Sequence, residues 1–233
     1  MMLGDDTEAK EIERAEYLLD AQEKAIKLFD EIERDLIRPG ITEKALSDAI
    51  HELGNWRHGV CTHWHKRVVR SGPNTLRPFA ENPPDRVIEA DDILYVDLVF
   101  EAWEADFSRT FVLGDDPRKK KLRDSLEPVW DAVKAWFDTN PGMTGQELYG
   151  IACAEASRTG FDFGADIAGH LIGSFPHERI PKDRVSLYIT DGNAESMRTV
   201  DKNGHRRHWI LEIHLHDKAN QFGGFHEKLL TVR

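Results

Sequence analysis

Two carboxylates sit inside the most apolar, β-rich stretches of the sequence, and that conflict limits the fold more than anything else in it. Asp97 stands between Val96 and Leu98 within residues 93–100, and Glu212 between Leu211 and Ile213 within residues 209–216. An ionised acid buried in such a run is costly unless it is paired or bound to a cation. Asp106 opens a second β-rich run nine residues after Asp97, and Glu227 follows Glu212 by fifteen, just ahead of Lys228-Leu229-Leu230. The short link 101–105 predicts a hairpin, and the later pair predicts another. Side chains alternate along a strand, so a suitable register aims each pair of acids at one face. Any one of the four reads most simply as a salt-bridged or strand-edge acid. Four in matching places favour a shared cation, because converging carboxylates repel and a divalent ion cancels the repulsion.

The matching extends beyond the acids. Pro39-Gly40-Ile41-Thr42 followed by Leu46 corresponds to Pro141-Gly142-Met143-Thr144 followed by Leu148, an offset of 102 residues at every position. Each copy follows a long amphipathic helix and begins another. Pro-Gly with a capping Thr is also a common helix-start signal. The preferred reading is two α+β halves, roughly 7–114 and 117–233, related by a pseudo-two-fold axis with a site between them.

Residues 7–37 carry Leu18, Ala21, Ala25, Leu28, Ile32 and Leu36 at helical spacing, and Pro39-Gly40 ends that helix. Thr42 starts a helix to about Leu53, Pro117 one to about Phe137, and Thr144 one to Gly160. Residues 59–70 suggest a strand, 77–86 and 191–207 irregular loops, and 223–232 a last strand. Gly169 to Glu178 reads as a glycine-punctuated loop whose histidines, His170 and His177, suit one ligand and one substrate-facing group. The run Arg118-Lys119-Lys120-Lys121 reads as a solvated face.

Composition narrows the function classes. The 233 residues fit one large domain or two small halves, enough to fold without a staple. Forty-two acidic against 31 basic residues give a formal charge of −11, which argues against a nucleic-acid partner. No apolar run approaches the ~20 residues of a membrane span. Two cysteines, Cys61 and Cys153, and a polar N-terminus fit a reducing cytoplasm.

In order along the chain, Asp97, Asp106, Gly169-His170-x-x-Gly173, His177-Glu178, Glu212 and Glu227 resemble the Asp-Asp-His-Glu-Glu signature of the pita-bread metallopeptidases. That family comprises methionine aminopeptidases, Xaa-Pro aminopeptidases, prolidases and creatinases. Asp106-Phe107-Ser108-Arg109-Thr110-Phe111 resembles its Asp-x-x-Arg-Thr-Phe strand. The resemblance implies an α+β pita-bread fold, two pseudo-symmetric halves around a curved antiparallel sheet. It also implies a hydrolase of a peptide or small amide bond using two divalent ions, drawn from Mn²⁺, Co²⁺, Fe²⁺ or Zn²⁺. By this likeness Asp97 holds one ion, Asp106 and Glu227 bridge both, and His170 and Glu212 hold the second. A bridging hydroxide is the nucleophile, His177 contacts the substrate, and Glu212 doubles as proton shuttle. A homodimer is a further expectation.

The sequence departs from the family pattern in several places. The aspartates are usually eleven apart, not nine, although losing two residues keeps side-chain parity. Phe79 occupies the position of a substrate-contacting histidine, which His63 or His65 would have to replace. Ile213 follows the first glutamate where Pro is common, and Phe225 stands two before the last glutamate where Arg is common. The large N-terminal domain of prolidases is not in the sequence, so a single catalytic domain over 1–233 is expected. Rival readings are a His63-x-His65 cupin-like iron site, a Glu212–His214–His216 set on one strand face, a non-hydrolytic binding module, and a creatinase-like metal-independent amidinohydrolase.

Overall fold

A computed structural model describes residues 4–60, 66–99, 106–172, 185–200, 204 and 206–232. The elements run α1 (Gly4–Glu31), α2 (Glu43–Leu53), β1 (Val68–Ser71), β2 (Ile93–Val99), β3 (Asp106–Val112), α3 (Pro117–Thr139), α4 (Gly145–Thr159), β4 (Asp162–Phe163), β5 (Ile167–Ile172), β6 (Tyr188–Thr190), β7 (His208–Asp217) and β8 (Phe222–Leu229). One antiparallel sheet orders its strands β1-β2-β3-β8-β7-β5-β6, with β4 paired to β7. The β2–β3 and β7–β8 hairpins meet at the β3–β8 contact, with β1 beyond the first and β5 and β6 beyond the second.

The 102-residue repeat has a structural counterpart. Thr42 and Thr144 cap α2 and α4, each accepting from the backbone N–H three residues on, and the Glu147 carboxylate accepts the Thr144 N–H to complete the box in the second copy. Just before each cap the carbonyls of Ile41 and Met143 accept from Ile88 and Met197, both at 2.9 Å. Each Thr also forms an isolated antiparallel bridge, Thr42 with Val87 and Thr144 with Ser196.

Alternation divides the strands between two environments. Leu94, Val96 and Leu98 of β2 and Phe107 and Phe111 of β3 pack on Leu28, Phe29 and Ile32 of the first helical layer. Leu211, Ile213 and Leu215 of β7 pack on Leu126, Trp130 and Val133 of α3. The helices therefore cover one face, and the intervening acids point to the other. The hairpins join with few ladder bonds, only Ser108 and Glu227 pairing in regular register. Thr110 strengthens the joint: its hydroxyl donates to the Phe225 carbonyl and accepts the Phe225 N–H, both at 2.8 Å.

Several expectations change. The strand expected over 59–70 is limited to Val68–Ser71, and residues 61–65 lie outside the described residues. The predicted first helix ends in a π turn over Ile32–Leu36. Gly169 and His170, expected in a loop, lie on β5, whose pairing with β6 shifts register between Ile167 and His170. Glycine punctuation here marks an irregular strand rather than a loop. The run 118–121 is tied down rather than simply solvated: Arg118 Nε binds Asp217 at 2.6 Å, and Lys119 donates to the Asp91 carbonyl. No helix among the described residues is long and apolar enough to cross a membrane.

Two buried histidines on β7 make stability sensitive to acid. Burial pushes His208 down to about 4, aided by Arg14 and Arg206, and pushes His216 down to about 4, aided by His214 and Lys218. Both are neutral when folded, whereas the unfolded chain protonates them below about pH 6.5. The unfolded state therefore binds more protons between about pH 6.5 and 4, and stability drops as pH falls through that window. Thermal melts should show a shallower acid loss in His216→Asn than in the unaltered chain. Parallel profiles would contradict this.

Candidate metal centre

The sheet register gathers the acids. Asp97 pairs with Ser108 across β2–β3, Ser108 with Glu227 across β3–β8, and Glu227 with Glu212 across β8–β7. These four residues form one row across four strands, and directly opposite side chains share a face. Asp106, two residues before Ser108, joins that face. All four acids are buried, with relative exposures of 7% for Asp97, 3% for Asp106, 6% for Glu212 and 3% for Glu227. Glu212 and Glu227 are direct cross-strand neighbours of like charge, an arrangement that destabilises a sheet unless neutralised.

His170 enters from β5. Its Nε2 lies 3.0 Å from Asp106 Oδ2 and 3.8 Å from Glu212 Oε1. Its Nδ1 lies 3.0 Å from the Leu171 carbonyl, which can only accept, so Nδ1 carries a proton. Nε2 then faces the acids with a lone pair, unless a second proton makes the ring cationic. Either a proton or a metal ion must lie between Nε2 and the acids, and a ring oriented by a backbone carbonyl is a common second-sphere arrangement in metal sites. Asp106, His170 and Glu227 each offer a ligand atom, all within 4.8 Å of one another.

The strain that places His170 is local. Gly169 has φ +135°, and a Cβ there would collide with the Ile210 carbonyl of β7. Only glycine lets β5 approach so closely. Beside the cluster, the fully buried Ser108 hydroxyl has no hydrogen-bond partner. An orphaned hydroxyl, facing acids and one imidazole together fit a divalent first-row cation, whose preferred ligands are carboxylate and imidazole.

Of the five expected ligands, three therefore converge as a group. Glu212 lies at its edge, and Asp97 lies farther along the same row. His63, His65 and His177 fall outside the described residues. Phe79, half exposed, has the Lys66 ammonium 4.8 Å from its ring centroid. Its loop is pinned by buried Arg70, which donates to the carbonyls of Arg77, Pro78 and Glu81. His214 touches Glu212, whereas His216 packs its ring against Gly164 and Gly223, so the three-residue set does not form on β7. Sequence reasoning gave Ser108 no role. The one available signal was its spacing two residues after Asp106.

The profile of metallopeptidase family M24 matches residues 16–202. The chain belongs to that family. Glu212 and Glu227 lie beyond the matched span, so their place in the centre rests on geometry. An Xaa-Pro dipeptidase from Lactobacillus delbrueckii subsp. lactis is 28% identical over 148 residues, covering 62% of this chain and 39% of that protein. Recombinant prolidase from Thermococcus sibiricus aligns with a TM-score of 0.72 at 21% identity, over 97% of this chain and 57% of that one. Methionine aminopeptidase from Rickettsia prowazekii aligns with a TM-score of 0.65 at 16% identity, over 93% and 90%. At these identities the two structures speak for the fold alone. It is the α+β pita-bread fold, with its pseudo-symmetric halves around an antiparallel sheet. The chain spans well under half the length of the curated dipeptidase it matches.

Two substitutions test the candidate centre. Glu227→Gln removes one of two facing charges, so without metal the melting temperature should rise by about 1–3 °C. Added Mn²⁺ should stabilise the variant less than the unaltered chain. A lower metal-free melting temperature would show that the acids do not repel in the folded state. Gly169→Ala should cost at least ~2 kcal/mol in chemical denaturation, because strand and side chain cannot share the space. An unchanged denaturation midpoint would refute that packing argument.

Proposed function

We propose that this chain is a dinuclear metal-dependent hydrolase of a peptide or small amide bond. The observation that carries the reading is the convergence of Asp106, His170 and Glu227 ligand atoms within 4.8 Å on a buried, acid-lined face. Family membership supports hydrolysis, and the dipeptidase name of the curated relative favours a short peptide with proline after the scissile bond.

In this reading Asp97, Asp106, His170, Glu212 and Glu227 would together hold two divalent ions. Bound there, the ions supply an acidified water and a Lewis acid for the scissile carbonyl. The chain's own groups do the remaining work. Glu212 accepts a proton from the attacking water at its carboxylate and returns it to the departing nitrogen. The helix-covered face behind the row keeps the acids from swinging away, and burial strengthens every electrostatic contact in the cleft. His177 keeps the role its motif implies, contact with the substrate.

Metal analysis of the purified protein after equilibration with Mn²⁺ or Co²⁺, together with an Xaa-Pro dipeptide and acyl-amide panel, tests the proposal. Two equivalents of metal and turnover are expected. Asp106→Ala and Glu227→Ala should each lose metal and abolish turnover. His177→Ala should retain metal and lose about 10²–10⁴-fold in kcat. Folded protein that takes up no metal and cleaves nothing would favour a binding module. Turnover that survives complete metal removal would favour a creatinase-like reaction.

A further inference from the structure

Glu212 sits between two imidazoles. Its Oε1 lies 3.8 Å from His170 Nε2, and its Oε2 lies 3.0 Å from His214 Nε2. A carboxylate only accepts, so His214 Nε2 carries a proton and donates it to Oε2. His214 lies two residues along β7 from Glu212, on the same face of the strand. It is absent from the ligand group formed by Asp106, His170 and Glu227.

The ring of His214 is itself held. It stacks on Phe225, its cross-strand partner on β8, with centroids 4.2 Å apart and planes at 18°. Phe163 of β4 meets it edge-on at 6.2 Å. Phe225 is fixed in turn by the two Thr110 hydrogen bonds and by an edge contact to Tyr95 at 5.6 Å. The joint between the two hairpins thus continues through Phe225 and His214 to one oxygen of Glu212.

We propose that His214 is a positioning residue for Glu212. Glu212 has three side-chain torsions and faces the like charge of Glu227, so repulsion tends to turn its carboxylate out of the cleft. The His214 N–H secures Oε2 and leaves Oε1 directed toward His170. The role is exerted through Glu212, and His214 acts as neither ligand nor proton carrier. This inference rests on reading the cluster as a metal centre.

The test is calorimetric titration of Mn²⁺ into the unaltered chain, His214→Ala, His214→Gln, Phe225→Leu and Asp106→Ala, with metal-free melts alongside. His214→Ala should weaken metal binding about 10–100-fold, the usual effect of losing an outer-sphere partner. His214→Gln should recover most of that loss, because its amide nitrogen reaches the place of Nε2. Phe225→Leu should fall between, since it frees the ring while keeping the donor. A general loss of structure would instead lower the metal-free melt and would not be rescued by Gln. An isotherm for His214→Ala equal to that of the unaltered chain, or Gln no better than Ala, overturns the positioning role. If His214→Ala does not fold, Phe225→Leu decides: weakened binding supports the role, and unchanged binding removes it. If the unaltered chain binds no more metal than Asp106→Ala, the metal-centre reading fails as well.

Discussion

Glu212 and Glu227 stand directly opposite each other on adjacent strands, both almost wholly buried. Two like charges in that position oppose folding, and the smallest change of register would not relieve them without cost. A shift by one residue would turn Leu211 and Ile213 to the acid face and expose the core of the second half. The packing on α3 therefore holds the acids in place against their own repulsion. A cation bound there would recover the stability given up, which would couple metal affinity to the fold. Concentrating such strain where chemistry happens is a common feature of functional sites.

The joint between the hairpins makes this arrangement rigid. Regular pairing between β3 and β8 is confined to Ser108 and Glu227, in the same row as Asp97 and Glu212. Where the ladder ends, the Thr110 hydroxyl takes over by satisfying both backbone groups of Phe225. Thr75 adds a further tie, accepting the Gly223 N–H at 2.7 Å. Side chains thus replace backbone pairing at the seam between the halves, and the cluster lies on that seam. Binding sites form readily between two packed halves because each supplies groups that the other cannot.

The two facing hairpins are filled by unequal residues. The first hairpin offers Asp97 opposite Ser108, and the second offers Glu212 opposite Glu227. A serine where the second hairpin carries a carboxylate lowers the local negative charge and leaves an unsatisfied hydroxyl beside the cluster. The outer strands differ as well. β1 leads into the loop that Arg70 pins, whereas β5 carries His170 behind a glycine that no other residue can replace. Equivalent scaffolds with different side chains bring the His170 imidazole to the acids from the β5 side.

Sequence alone was enough to indicate the long helices, the two central hairpins and the metallopeptidase family. Helical spacing in residues 7–37, the Thr42 and Thr144 caps, and acids inside apolar strands are local signals, because each conflict or cap lies within a few neighbouring residues. The 102-residue offset and the ordered acids also indicated the pseudo-symmetric fold. Placing His170 on a strand needed the tertiary structure. Its glycines look like loop punctuation until the close approach to the Ile210 carbonyl shows what Gly169 is for. The unsatisfied Ser108 hydroxyl was also invisible, since it depends on which residue stands across the ladder and not on its own neighbours. That Glu212 and His214 share a face was legible, but not that they touch. The sequence determined which side chains were available and which face of each strand they shared. Only the cross-strand register and the packing of β5 on β7 decided which of them meet, because those contacts join residues far apart in sequence, 41 positions for Gly169 and Ile210 and 119 for Ser108 and Glu227.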